Sequence, residues 1–399
     1  MFFRLTLFFA FFNSFAIINF YDFNWGLLWS WFLSLIFISL YFYKSFVFQK
    51  KIIYDYRNTY VLKIFGIIFL LSIISWLMQW LGLIFIPSDY DISINRSFGH
   101  VGYIFFYFLV YICIYSYLKN NNNKYFIYYR WFFIYPFIFI SFWGIYQNFS
   151  TYGFFNYIDI FNNSVSTGFT YERFKEDHRV SSVFPEPSEY SYYLALMTPI
   201  IWAYFRNIPF KSNFYIRLTL LFLLISQIYM IKSLSYFVAF PIIFWVIIRY
   251  IENLKGLRLF GAIFLAGSVS IILVSLTMLS RLELVSSGSD GSIDDRFLGI
   301  LQSIELFLRS PLIGFGYGIS RGIDQLFFLL ASVGLIGIFF ISKFLYKLLS
   351  NDDVPVFLTG ATLAMFASCL TSNNIFGFLF FWIFLAFLTT FPKNKKLFC

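Results

Sequence analysis

The sequence predicts an all-α polytopic membrane protein of about twelve transmembrane helices, N-in and C-in, with two long outer loops, one carrying an amphipathic surface helix. Three observations carry this reading. The 399 residues are 60% hydrophobic and only 12% charged, with a mean hydropathy of +0.75. Soluble domains average about 25% charged residues, so this chain cannot cover a water-facing surface. Apolar runs of membrane-crossing length recur along it, and the charges between the runs alternate in sign. A soluble enzyme, a disordered regulator and a secreted disulfide scaffold are excluded.

The apolar runs are 2–20, 25–43, 61–86, 100–118, 128–149, 188–205, 213–231, 234–250, 259–280, 324–346, 355–372 and 375–391. The first resembles a signal sequence, but no small-x-small cleavage site closes it, and it is taken as the first span. The pair around Lys232 and the pair around Thr371 are joined by very tight turns. With the N-terminus inside, 20 of the 29 Lys and Arg residues fall on the inner side and 15 of the 19 acids on the outer side. The inner side then carries +16 and the outer side −6, as the positive-inside rule requires. The net charge of +10 reflects orientation and anionic lipid, and no nucleic acid partner is expected.

The organisation that follows is helices 1–5 in 1–149, an outer loop in 150–187, helices 6–9 in 188–280, an outer loop in 281–323, and helices 10–12 with an inner tail in 324–399. The 61 Phe and 30 Tyr exceed what interfacial belts need. AT-rich coding explains them, and their number alone does not indicate sugar stacking. Cys113, Cys369 and Cys399 show no disulfide or zinc spacing, no cofactor is expected, and no metal motif involves His100 or His178.

Long ordered loops are usually functional, which directs attention to the outer side. The first outer loop ends in Arg173-Phe-Lys-Glu-Asp-His178-Arg179-Val-Ser-Ser-Val-Phe-Pro-Glu186-Pro-Ser188-Glu189-Tyr. Pro185 and Pro187 fix the entry to a helix that Ser188 can cap, with Glu189 in its first turn. Arg179, Glu186 and Glu189 thus stand where the loop enters the membrane, where charge needs a partner or a role. One reading is an Arg179–Glu186 ion pair that locks the loop. The other is chemistry, with His178 and the glutamates as bases.

In the second loop Phe297, Ile300, Leu301, Ile304 and Leu308 form an amphipathic helix lying at the membrane surface, capped by Asp294 or Asp295 and followed by Pro311. Arg296 would then occupy the first turn, where a cation is disfavoured unless an anion binds or the neighbouring aspartates neutralise it. Asp290–Asp295 lacks the glycine and glutamate of a calcium loop. Gly314, Gly316 and Gly318 alternate in Gly-Phe-Gly-Tyr-Gly and permit close backbone approach to a ligand. Arg321 follows, Asp324 opens the next span, and Gly334 and Gly337 within that span are expected at helix contacts.

Taken in order, Arg179 to Tyr190 (RVSSVFPEPSEY), Asp295-Arg296, Ser310 to Gly318 (SPLIGFGYG) and the Gly-Leu-Ile-Gly span resemble the O-antigen polymerase and O-antigen ligase superfamily of bacterial inner membranes. The resemblance covers about 170–340, while 1–150 match only in hydropathy. It implies a glycosyltransferase of the inner (cell) membrane, acting at the periplasmic face on undecaprenyl-pyrophosphate-linked oligosaccharides. It also implies that Arg179 and Arg296 hold the donor pyrophosphate, with Arg321 as a further candidate. The candidate bases are Glu186, Glu189, Asp324 and His178. Membrane lipid, a chain-length regulator and a flippase are its expected neighbours. Ligases resembling this pattern carry a His-Asn-like pair where this chain has Ile323-Asp324-Gln325, and no histidine follows His178, which favours polymerase over ligase. The polymerase spacing that ends in glycine is not met, since Ala195 stands sixteen residues beyond Arg179. A flippase or transporter would place ionisable residues mid-span and show repeats; mid-span charges are few here and no internal repeat is found.

Overall fold

A computed structural model describes residues 1–12, 16–20, 25–47, 55–85, 94–154, 156, 179–184, 186–206, 213–251, 291–320, 324–351, 353–370 and 375–392. The expected span 259–280, most of the first outer loop including His178, and Arg321 lie outside the described residues.

The helices are α1 (Phe2–Phe9), α2 (Trp29–Val47), α3 (Tyr56–Trp80), α4 (Ile94–Asn120), α5 (Tyr125–Tyr129), α6 (Tyr135–Thr151), α7 (Pro187–Phe205), α8 (Phe214–Ile231), α9 (Leu234–Ile251), α10 (Gly291–Arg309), α11 (Gln325–Leu349), α12 (Val356–Cys369) and α13 (Leu379–Thr390). A π-turn, Arg130–Ile134, joins α5 to α6 into one rod. Among the described residues six segments are long and apolar enough to cross a membrane: Ser30–Val47, Arg57–Trp80, Arg96–Asn120, Asn122–Thr151, Phe214–Ile231 and Gln325–Leu349. Shorter apolar helices stand among them, as a polytopic membrane protein requires.

The expected first span, 2–20, is not a single helix. The eight residues of α1 reach about 12 Å, and β1 (Ala16–Phe20) then pairs antiparallel with β2 (Trp25–Leu28), Phe20 opposite Trp25 and Ile18 opposite Leu27. Hydropathy cannot separate helix from strand in an apolar run, and Ala-Ile-Ile-Asn-Phe is a strand former. The tight turn after α8 is made by Lys232 itself, in the left-handed region at φ 43°.

The core sits around α13 and α7. All twelve residues of α13 are buried, and it packs on α3 and α4. Phe387 stacks on Phe132 at 5.0 Å, Phe11 lies 5.1 Å from Phe380, and the Trp382 indole donates to the Phe376 carbonyl at 2.9 Å. Helix α7 is buried from Pro187 through Ile201 and packs on α8, α9 and α12. The peripheral α8 instead exposes Phe214, Tyr215, Ile216, Leu218, Phe222, Ile225 and Tyr229, a face suited to lipid rather than water.

Polar pairs gather at one end of this bundle. Asp55 caps α3 through the amides of Arg57 and Asn58 and pairs with Lys119, at the end of α4, at 3.0 Å. Arg57 is buried. Its guanidinium meets the Asp353 carboxylate at 2.7 Å and donates to the carbonyls of Phe391 at 3.1 Å and Thr389 at 3.4 Å. One cation thus ties α3, the α11–α12 turn and the negative end of α13's dipole. Removing one partner of a buried pair is costly, so Arg57→Ala should lower stability by about 3 kcal/mol. Thermal unfolding of the purified protein in detergent checks this, and an unchanged Tm would refute it.

Candidate functional site

The opposite end is organised by a broken helix. In α11, Gly334 has φ 61° and ψ −170°, which interrupts the helical hydrogen bonds from residues 335 and 336 to 331 and 332. The loop Ser310–Ser320 replaces both. The amides of Phe315 and Gly316 donate to the carbonyls of Ala331 and Ser332 at 2.8 and 2.9 Å, while those of Leu335 and Ile336 donate to Pro311 and Leu312 at 2.9 and 3.1 Å. In an apolar medium each unsatisfied backbone group costs several kcal/mol, so loop and break require each other. Glycine is needed on both sides of the contact. A Cβ at Gly314 would strike the Ser332 backbone, and one at Gly334 the Leu312 backbone.

Helices α3 and α4 secure the loop's outer edge. Ser75 donates to the Gly314 carbonyl at 3.0 Å, Gln79 to Phe315 at 2.8 Å and Ser97 to Tyr317 at 2.8 Å. Ser72 accepts from the Tyr317 amide at 3.0 Å. Gly316 abuts Trp76 and Ser97, and Gly318 abuts His100. The close approach that these glycines permit is therefore to the protein's own backbone and side chains. Of the two span glycines, Gly337 meets Val333 and Leu71 in the expected close packing, whereas Gly334 ends a helical segment.

Segment Arg179–Phe184 is inserted among α6, α7 and α8. The Gln147 carbonyl oxygen accepts from the amides of Ser181 at 3.0 Å and Ser182 at 2.7 Å, and Ser182 donates to the Ile140 carbonyl at 2.6 Å. Gln227 accepts from the Tyr190 hydroxyl at 2.7 Å and donates to the Ser141 carbonyl at 3.1 Å. Gly144 makes room for it. Arg179 is half-buried. Helix α7 then starts at Pro187, with Glu186 rather than Ser188 in the cap position. Ser188 lies inside the first turn, because Pro187 takes the first helical place, and donates to the Glu186 carboxylate at 2.8 Å. Glu189 is in the first turn and buried.

Asp324 caps α11, accepting from the amides of Leu326 at 2.8 Å and Phe327 at 3.0 Å. Burial raises its pKa above the ordinary 3.8, and the two amide bonds offset this only in part. Glu189 stands in the first turn of α7 and Asp324 caps α11, so each motif-bearing segment places a carboxylate at a helix start. Glu186 precedes Glu189 by three residues, at the cap of the same helix.

Helix α10 differs from expectation at its start. It begins at Gly291, so Asp294 and Asp295 lie within it and Arg296 falls in its second turn, away from the first-turn amides. The helix therefore takes in Gly291 and Ser292 ahead of the aspartates expected to cap it, so the sequence places the start too late. Its Glu305–Arg309 pair forms at 2.8 Å. Gly299, Ser303 and Leu306 face the protein, with Ser303 at 2.6 Å from Ser320, while Phe297, Leu298, Leu301 and Leu308 are exposed. The helix docks by its small polar side and leaves its apolar stripe outward.

The chain matches no protein-family model, no curated protein and no solved structure. Gln147, Gln227, Ser72, Ser75 and Ser97 are absent from the candidates drawn from the sequence. Their signal was present as isolated polar side chains in apolar runs, which need a bonded partner.

Two outcomes follow. Gly334→Ala forces a side chain into left-handed backbone and into Leu312, and should lower stability by about 2 kcal/mol or more in thermal melts. Asp324 has a folded pKa above its unfolded one, so the stability it adds exists below the unfolded value and is lost as pH rises through the folded value. Asparagine caps as well as aspartate. Asp324→Asn should therefore melt no lower than the native chain at pH 7, with any gain vanishing below about pH 4; a marked drop at neutral pH would contradict this.

Proposed function

We propose that this chain polymerises undecaprenyl-pyrophosphate-linked oligosaccharide repeat units into O-antigen or a capsular or exopolysaccharide, at the periplasmic face of a bacterial inner membrane. The observation that supports the reading is that each motif-bearing segment places a carboxylate at the start of a helix of an apolar bundle, Glu189 on α7 and Asp324 on α11. The loop Ser310–Ser320 is hydrogen-bonded to α11.

In this mechanism the acceptor sugar hydroxyl attacks the anomeric carbon of the donor. The bond from that carbon to the pyrophosphate oxygen breaks, and undecaprenyl pyrophosphate leaves with the bonding pair. Arg179, Arg296 and Arg321 hold the departing phosphates, since guanidinium groups match phosphate oxygens two at a time and strengthen their contacts as charge develops. A carboxylate takes the hydroxyl proton. The candidate bases are Glu186, which accepts from Ser188, Glu189 in the first turn of α7, Asp324, which caps α11, and His178.

A ligase that transfers polymer to lipid A core is the alternative enzyme, disfavoured by Asp324-Gln325 at the place of the His-Asn-like pair. A flippase or transporter of lipid-linked sugars is disfavoured because Gln147 and Gln227, polar side chains inside spans, are uncharged and engaged in hydrogen bonds to Ser181, Ser182, Tyr190 and Ser141.

The test is a gel of surface polysaccharide from a deletion strain and its complements. Core bearing a single repeat unit supports the polymerase reading, and bare core with accumulated lipid-linked polymer would make the protein a ligase. Unchanged long chains would remove both enzymes for that polymer. Arg179→Ala and Arg296→Ala should each abolish complementation while membrane insertion persists; full activity in both would sink the pyrophosphate role.

A further inference from the structure

A second feature lies at the end of the bundle that holds Asp55–Lys119, far from the glycine loop. A cavity of about 460 Å³ is lined by Phe3, Arg4, Leu5, Tyr117, Tyr128 and Trp131, together with Met1. It falls in the volume range of small-molecule sites, about 300–1,000 Å³. Tyr117 precedes Lys119 by two residues on α4, and Tyr128 follows Lys124 within one turn, so the cavity opens among the basic helix ends.

Its walls are preformed. Phe3 is buried, 4.1 Å from the Tyr117 ring and edge-on to Tyr128 at 4.8 Å. The two tyrosine hydroxyls are 3.4 Å apart. When one donates to the other, the second keeps a proton to give to a ligand. Trp131 stands on the π-turn Arg130–Ile134, a distortion often found at functional sites. The Arg4 guanidinium lies 5.8 Å from the Trp131 ring centre. It is exposed, and among the described residues no carboxylate is paired with it.

We propose that this cavity binds the phosphodiester headgroup of an anionic phospholipid, with Arg4 and the Tyr117–Tyr128 pair on the phosphate and Phe3, Leu5 and Trp131 along the apolar stem. Charge and shape together select this occupant. The cationic Arg4 stands in a lining whose walls at Phe3, Leu5 and Trp131 are apolar, which suits an anion carried on an apolar stem; free inorganic phosphate has no use for apolar walls. Tryptophan and tyrosine beside arginine are also the residues that anchor at membrane interfaces. The inference stands independently of the catalytic reading.

The experiment places the full chain in phosphatidylcholine nanodiscs doped with brominated phosphatidylglycerol or, in parallel, brominated phosphatidylcholine. Bromine quenches tryptophan on contact, and subtracting the Trp131→Phe signal isolates Trp131. Phosphatidylglycerol should quench Trp131 at about fivefold lower mole fraction than phosphatidylcholine, the worth of one basic residue at an anionic surface. Arg4→Gln should abolish that preference, and Arg4→Lys should retain part of it. Added inorganic phosphate should leave the quenching unchanged. Equal quenching by the two lipids overturns the proposal, a comparison that needs only chains with native Arg4 and so decides even if the Arg4 variants fail to fold. Relief of quenching by inorganic phosphate overturns it in favour of a free anion.

Discussion

A backbone amide or carbonyl inside an apolar bundle must find a partner within the protein, and the end of this structure built around Gly334 follows from that constraint. A loop of eleven residues, Ser310–Ser320, lies among packed helices. It is tolerated there because α11 opens at Gly334 and offers two carbonyls and two amides in the register the loop needs. The serines of α3 and α4 absorb the groups that α11 does not reach. A helix that would otherwise be an ordinary span becomes the scaffold of a non-helical segment.

The same logic operates with side-chain amides at the segment before α7. Gln147 takes the place of missing backbone partners for the amides of Ser181 and Ser182, and Gln227 ties Tyr190 of α7 to the Ser141 carbonyl of α6. At the far end a cation does the equivalent work, Arg57 collecting the C-terminal carbonyls of α13 and the Asp353 carboxylate.

The helical, membrane-like character of the chain was legible because composition and apolar run length report directly on solvent. The tight turn at Lys232, the first-turn place of Glu189 and the start of α11 at Asp324 were legible for local reasons: each depends on neighbours within a turn. The hairpin inside 16–28 was not, because an apolar run has the same hydropathy in a strand and a helix. The role of Gly334 was hidden for a different reason. Its break is stabilised by Pro311–Gly316, some twenty residues earlier, and nothing in Gly-Leu-Ile-Gly distinguishes a packing glycine from a hinge. On α10 the apolar periodicity was correctly read, but its cap was misplaced, which moves Arg296 out of the first turn.

The enclosure of α13 bears on how the molecule is made. The helix that packs between α3, α4 and the π-turn segment follows all of them in the sequence, at 379–390. During synthesis the faces that will clasp Trp382 and Phe387 are made before their partner. The interior therefore cannot be completed helix by helix in order of emergence, and its closure waits for α13.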